Sequence, residues 1–295
     1  MPFLVTIENE FYRVEVNPLG SELWSVVEKS SGHEFLWQGK EEKESVWPRR
    51  APILFPVCGR LRGGAARIDG KRYSIPMHGF ARDYEHQVSD LKKDRVTFCF
   101  SDSPETKIMY PFSFTLYTSY ILEGKILRCR YEVENHGGAG MPFSIGYHTG
   151  YRLPLSDHSN ARDCTLVFEK EETITRLPQE DGFLTGKTEP FLQNERNVGL
   201  FASCFPGTCI LENFRSRSLE LQDRRAGKSI QVGIAGFPYL AIWISHEARP
   251  FVCIEPWYGI PDEKEAEGDF RRKKGIVALD GGKTFSCEQT IEIKG

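Results

Sequence analysis

Two residues of this chain sit where only a chemical role or a partner would justify them. His148 lies in FSIGYHTGY (residues 143–151) and Glu255 in FVCIEPWYGI (residues 251–260), one His and one Glu inside otherwise apolar, aromatic sequence. Burying an unpaired carboxylate is costly, so Glu255 must find a partner or lie at a wet cleft, and His148 poses the same question. Taken singly, each reads as readily as a satisfied core or edge residue. Near one another, a carboxylate and an imidazole could act as base and acid: the anion favours the imidazolium, and the two groups then titrate on opposite sides of neutrality.

Two further segments concentrate groups that packing would not require. WPRRAPILFPVCGRLR (47–62) surrounds the apolar Ile53, Leu54 and Phe55 with Arg49, Arg50, Arg60 and Arg62, and MHGFARD (77–83) places His78, Arg82 and Asp83 around Gly79. Arg60 reads equally as a sandwich-edge salt bridge, and His78 as a turn histidine bonded to backbone. His33, His86, His136, His158 and His246 lie in polar or turn-like sequence and are expected to be solvated.

Several chemistries lack their signatures. No H-x-E, H-x-H or H-E-x-x-H spacing occurs, and the eight cysteines form no C-x-x-C pair, so no metal site is expected. G-x-S-x-G is absent and no glycine-rich turn follows a βαβ unit, which leaves the nucleophile-elbow esterases and dinucleotide binding without support. With 38 basic and 41 acidic residues interspersed, net charge -3, neither nucleic acid nor an anionic membrane is an expected partner. The apolar stretch of residues 232–245 is 14 residues broken by Gly233, Gly236 and Pro238, too short to span a bilayer. The first ten residues read as no secretion signal, so a soluble, cytoplasmic protein with reduced core cysteines is expected.

The elements that must carry these residues are strands. In residues 125–134, Leu127, Cys129, Tyr131 and Val133 alternate with charged neighbours, and Phe114, Leu116 and Tyr120 mark a partner joined through Gly124. Asp69-Gly70, Ala226-Gly227 and Asp280-Gly281-Gly282 mark further hairpins, while the best helical candidate, residues 262–267, is one or two polar turns. The pattern predicts an all-β chain, a large antiparallel β-sandwich formed by residues 1–295 as a single domain, without internal repeats.

Five blocks in order, APILFPVCGRL (51–61), MHGFARD (77–83), IGYHTGYRLP (145–154), GFPYLAIW (236–243) and FVCIEPWYGIPD (251–262), make the chain resemble the aldose 1-epimerases, or galactose mutarotases, and most closely their LacX-type branch. The resemblance implies the galactose-mutarotase β-sandwich, a general acid at His148, a general base at Glu255, and hydroxyl contacts from Arg60 and His78. It also places the family's sugar-binding aspartate at Glu212, one methylene longer. The sequence departs from the family where Cys58-Gly59-Arg60 has no Asn before the Arg and where His148 is followed by Thr149. No cofactor is implied. The expected partner is a small sugar or sugar phosphate, and the chain is expected to be a monomer or homodimer.

That resemblance makes the expected activity interconversion of the α and β anomers of a free aldose by ring opening and closure. Trp257, Tyr258 and Tyr147 flank the pair and could face sugar C–H groups. Arg82, four residues after His78 in a segment taken as extended, would stand at the rim, where a guanidinium could bind phosphate or pair with Asp83 or Glu85. Hexose-6-phosphate 1-epimerase is therefore one alternative. A non-catalytic carbohydrate-binding protein on the same fold is another, and a hydrolase would need a second carboxylate, for which Asp262 is the candidate.

Overall fold

The computed structural model describes residues 3–39, 47–200, 205, 207–245, 251–266 and 268–295. His246, Cys204 and Glu267 lie outside the described residues. Strands dominate, as the alternation requires. Leu127, Cys129, Tyr131 and Val133 of the strand Ile126–Asn135 are buried between charged neighbours, and its partner Phe114–Glu123 meets it in register from Glu123↔Ile126 to Phe114↔Asn135. That partner is covered on both faces, so Thr115 and Ser119 are buried too and bond Ser101 and Thr97 through their hydroxyls.

Among the described residues the main sheet has 14 strands, and every pairing in it is antiparallel. It runs from the edge strand Gln87–Leu91 through Phe114–Glu123, Ile126–Asn135 and Thr284–Lys294 to Tyr239–Ile244 and Phe251–Tyr258. A twisted sheet of this breadth must curl and cover itself, which gives the large all-β antiparallel sandwich expected from the sequence. Residues 262–267 were the expected helix, but the described part is a bridge and turn. The one α-helix among the described residues is Pro104–Met109, which apolar periodicity does not reveal. A local device holds it: Ser103 accepts the Thr106 N–H, Thr106 Oγ1 accepts the Ser103 N–H at 2.8 Å, and Pro104 occupies the first turn. No helix among the described residues is long and apolar enough to cross a membrane.

Phe251–Tyr258 is the strand on which the site depends. It pairs with Tyr239–Ile244 along one side and with two short strands, Ile145–Gly146 and Thr149–Arg152, along the other. The partners Gly146↔Trp257 and Thr149↔Ile254 set one common register, which brings His148 opposite Glu255 in the gap between the short strands. Pro256 lies in that gap and offers no N–H to the ladder; its carbonyl accepts the Tyr147 N–H at 3.2 Å.

The segment 77–83 is not extended. His78 and Gly79 take φ of 65° and 75°, and Ala81–Asp83 form a 3-10 turn, because the Phe55 carbonyl gathers the Phe80 and Ala81 N–H groups at 3.0 and 3.2 Å. Gly79 is required there: a Cβ would lie 2.0 Å from the Phe55 oxygen. Gly79→Ala is expected to cost more than about 2 kcal/mol through clash and left-handed strain. Urea unfolding checks this, and an unchanged midpoint would contradict it.

Candidate active site

Strand register builds the centre of the site. Residues opposite one another on antiparallel strands project from the same face, and so do residues two apart on one strand. His148 and Glu255 thus meet, with Nε2 and Oε2 3.4 Å apart, at exposures of 8 % and 1 %. Beyond that approach, neither carboxylate oxygen nor the His148 Nδ1 has a hydrogen-bonding partner among the described residues. Such buried, unpaired polar atoms are costly unless a ligand completes them.

Burial sets the proton distribution, and it differs from the expected one. Loss of water pushes the Glu255 carboxyl well above its ordinary range. Loss of water, aided by the Arg82 charge, pushes His148 down to about 3. The arrangement expected from the sequence, carboxylate beside imidazolium, is therefore the less favoured one: burial drives both groups toward neutrality. His78 is held well below its ordinary value by burial first, then by the charges of His148, Arg82 and Arg60.

His78 completes the floor. Its Nδ1 accepts the Gly59 N–H at 3.1 Å and its own N–H bonds the Gly59 carbonyl at 2.9 Å, so the neutral ring carries its proton on Nε2, available to donate. Its ring centroid lies 5.5 Å from that of His148 and 6.0 Å from that of Trp257.

Arg60 stands at the rim. Its side chain is exposed and makes no hydrogen bond or ion pair among the described residues, while its backbone is clamped: Asp262 donates its N–H to the Arg60 carbonyl at 2.9 Å. Asp262 is held in turn, its carboxylate accepting the Arg62 N–H at 2.8 Å and the buried Lys273 ammonium at 2.7 Å. A carboxylate so engaged in structure is a poor candidate for a second catalytic carboxylate.

Arg82 does not guard the rim from an extended segment; the turn folds it inward. It is mostly buried, donates to the Met77 carbonyl at 2.8 Å and approaches Asp83 to 3.8 Å, whereas the closer partner of Asp83 is Arg49. Glu212 shares the face of Glu255, because Glu212↔Tyr239↔Trp257 form one row across three strands. Two strand spacings and two residues along the strand put it about 12 Å from Glu255. Lys274 lies 3.9 Å from its carboxylate.

Alternation also corrects the expected aromatic wall. Tyr147 and Tyr258 point to the opposite face, where their hydroxyls bond the Cys129 and Gly236 carbonyls at 2.6 and 2.7 Å; Trp257 stays on the site face. Two indoles that the sequence reading passed over stand there instead. Trp47 stacks on His148 with centroids 4.8 Å apart, and Trp243 meets both rings edge-on. The signal for Trp243 was present, since it alternates with Ala241, the residue opposite Glu255. Cys253 was legible in the same way, two residues before Glu255, and together with His148 these offer ligand atoms all within 4.8 Å of one another. His86, expected to be solvated, is buried against Phe100 with Nε2 2.9 Å from the Ala81 carbonyl, because the strand edge folds it under the 81–83 turn.

The fold is that of the galactose-mutarotase-like proteins. A galactose mutarotase related enzyme from Lactobacillus acidophilus superposes with a TM-score of 0.93 at 31 % identity, over 99 % of this chain and 98 % of that one. A galactose mutarotase-like protein from Lactobacillus casei does so with 0.92, also at 31 %, over 99 % and 100 %. Residues 4–275 match the sequence profile of the family described as aldose 1-epimerase, and the chain belongs to that family. It is 33 % identical over 283 residues to the chromosomal protein LacX of Lactococcus lactis subsp. lactis, covering 92 % of this chain and 93 % of that protein.

A buried acid whose folded pKa is raised contributes stability below its unfolded pKa and loses it as pH rises toward and through the folded value. Glu255→Gln removes that dependence. Its stability relative to the parent chain is expected to increase as pH rises from about 5, above the unfolded carboxyl value, read as urea midpoints at several pH values. A difference that stays constant over that window would show that burial does not hold the proton on Glu255.

Proposed function

We propose that this chain is an aldose 1-epimerase acting on a free aldose, with Glu255 and His148 as its two proton-transfer groups. What supports this reading is the facing pair itself: two buried ionisable groups on neighbouring strands with unsatisfied polar atoms, a demand that sugar oxygens can meet. Glu255 takes the O1 proton and His148 gives a proton to the ring oxygen as the C1–O5 bond breaks. Rotation about C1–C2 turns the other carbonyl face toward O5. Ring closure then runs the steps in reverse, with the proton returned from Glu255 to O1 and the ring-oxygen proton returned to His148, so nothing is consumed.

Burial enters this cycle directly. After ring opening the pair is protonated Glu255 beside neutral His148, the distribution that desolvation favours. The low-water site therefore stabilises the state that accompanies the open-chain intermediate. His78 Nε2, the Arg60 guanidinium and the Glu212 carboxylate are placed to hold ring hydroxyls from the floor, the rim and the far side of the same face. Trp47, Trp243 and Trp257 offer apolar surfaces to C–H groups.

Polarimetry or exchange NMR on freshly dissolved anomers tests the reading. Glu255→Gln and His148→Ala are each expected to lower the rate by about 10²- to 10⁴-fold with circular dichroism unchanged. Near-normal rates in either folded variant would sink the assignment. Activity follows the one-proton state of the pair. With Glu255 raised and His148 lowered to about 3, the rate should be flat across roughly pH 5 to 7 and fall in stronger acid and in alkali. A narrow bell between the ordinary carboxylate and imidazole values would contradict this.

Hexose 6-phosphate is the second reading, favoured by Arg82, whose inward charge reaches both His148 and His78. Its ties to Met77 and Asp83 favour the free sugar. Comparing kcat/KM for glucose and glucose 6-phosphate in the parent chain and Arg82→Ala separates the two. Little preference for the phosphate in either protein is expected, and a large preference that disappears in the variant would reverse the substrate assignment.

A further inference from the structure

We propose that His148, Cys253 and Glu255 also form a binding site for a soft divalent cation of the zinc class, and that the cation and sugar turnover exclude one another. Three independent placements converge there. Register sets His148 opposite Glu255, the two-residue repeat sets Cys253 on the same face, and the interruption between the short strands leaves His148 outside both of them. The ligand atoms lie within 4.8 Å of one another, all three residues are buried, and the carboxylate oxygens have no hydrogen-bonding partner.

The donor set selects the ion. One sulfur, one imidazole nitrogen and one carboxylate oxygen suit zinc, cobalt or cadmium, whereas magnesium and calcium require oxygen ligands. Zinc bonds of about 2.0 to 2.3 Å at tetrahedral angles put ligand atoms about 3.3 to 3.8 Å apart. The Nε2 to Oε2 separation of 3.4 Å already meets that spacing. With the ligand atoms within 4.8 Å of one another, the Cys253 sulfur needs a shift of no more than about 1.3 Å, within the reach of a side-chain rotation. Binding forms three metal–ligand bonds and releases the thiol proton, and the carboxyl proton where present, to solvent. The fourth position is left for water.

Exclusion of turnover rests on the proposed function: a cation held by Glu255 and His148 occupies the lone pairs that receive and return the sugar protons. The metal-free protein is then the active form, and a chelator protects the activity. C-x-E on one strand with a histidine from the next has no short linear spacing, so metal-site patterns read along the sequence pass over it.

The test uses the intact chain, stripped with EDTA and titrated with Cd²⁺ while the thiolate-to-cadmium absorption is followed in the ultraviolet, with mutarotation measured in parallel. One equivalent is expected to produce the band and suppress the rate by at least about 10-fold, with EDTA restoring it. In Cys253→Ser and Cys253→Ala, each compared with its own metal-free rate, band and inhibition should both weaken by at least about 10-fold. A band that persists unchanged in both variants overturns the site, and a Cys253-dependent band without inhibition overturns the exclusion. A stripped chain that turns over no aldose yet gives the Cys253-dependent band would remove the proposed activity while leaving the metal site standing.

Discussion

A carboxyl group and an imidazole held together out of water constrain nearly everything else in this structure. Glu255 and His148 are buried at 3.4 Å with polar atoms unsatisfied, so neither charge is welcome in the empty site. Water would relieve the cost, and a loop would let water in. The fold instead mounts both groups at the junction of three strands, where backbone pairing on either side prevents the pair from moving apart or toward solvent.

His78 and Arg60 are brought to that junction by connections rather than by the sheet. His78 is delivered by a turn that exists because Phe55 gathers two N–H groups and Gly79 tolerates the close approach. Arg60 is delivered by a backbone clamp whose centre is Asp262, itself tied to Lys273. Strand register thus sets the facing pair, while His78 and Arg60 ride on connections.

The same geometry that suits proton transfer is close to what a soft metal ion requires. Facing residues on adjacent strands and alternate residues on one strand place three donors at the corners of a small triangle, whatever the selected function. In this chain the residue two before Glu255 is a cysteine, and the overlap of the two chemistries follows from that side chain.

Much was legible from residue order alone. Alternation in 125–134 and the Asx-Gly turns determined an all-β antiparallel fold, because side-chain period and turn chemistry are local properties. The isolation of His148 and Glu255 in apolar sequence marked them, because burying a polar group needs a reason wherever the chain goes. Other features depended on what lies across space. That His148 faces Glu255 comes from register between segments more than a hundred residues apart. The inward position of Arg82 comes from a turn imposed by Phe55, and the direction of Tyr147 and Tyr258 comes from which sheet face meets the core. The proton balance was the deepest of these. A sequence shows that a carboxylate and an imidazole are present, but the sign of each pKa shift depends on how much water the assembled fold removes, and only the tertiary structure decides that.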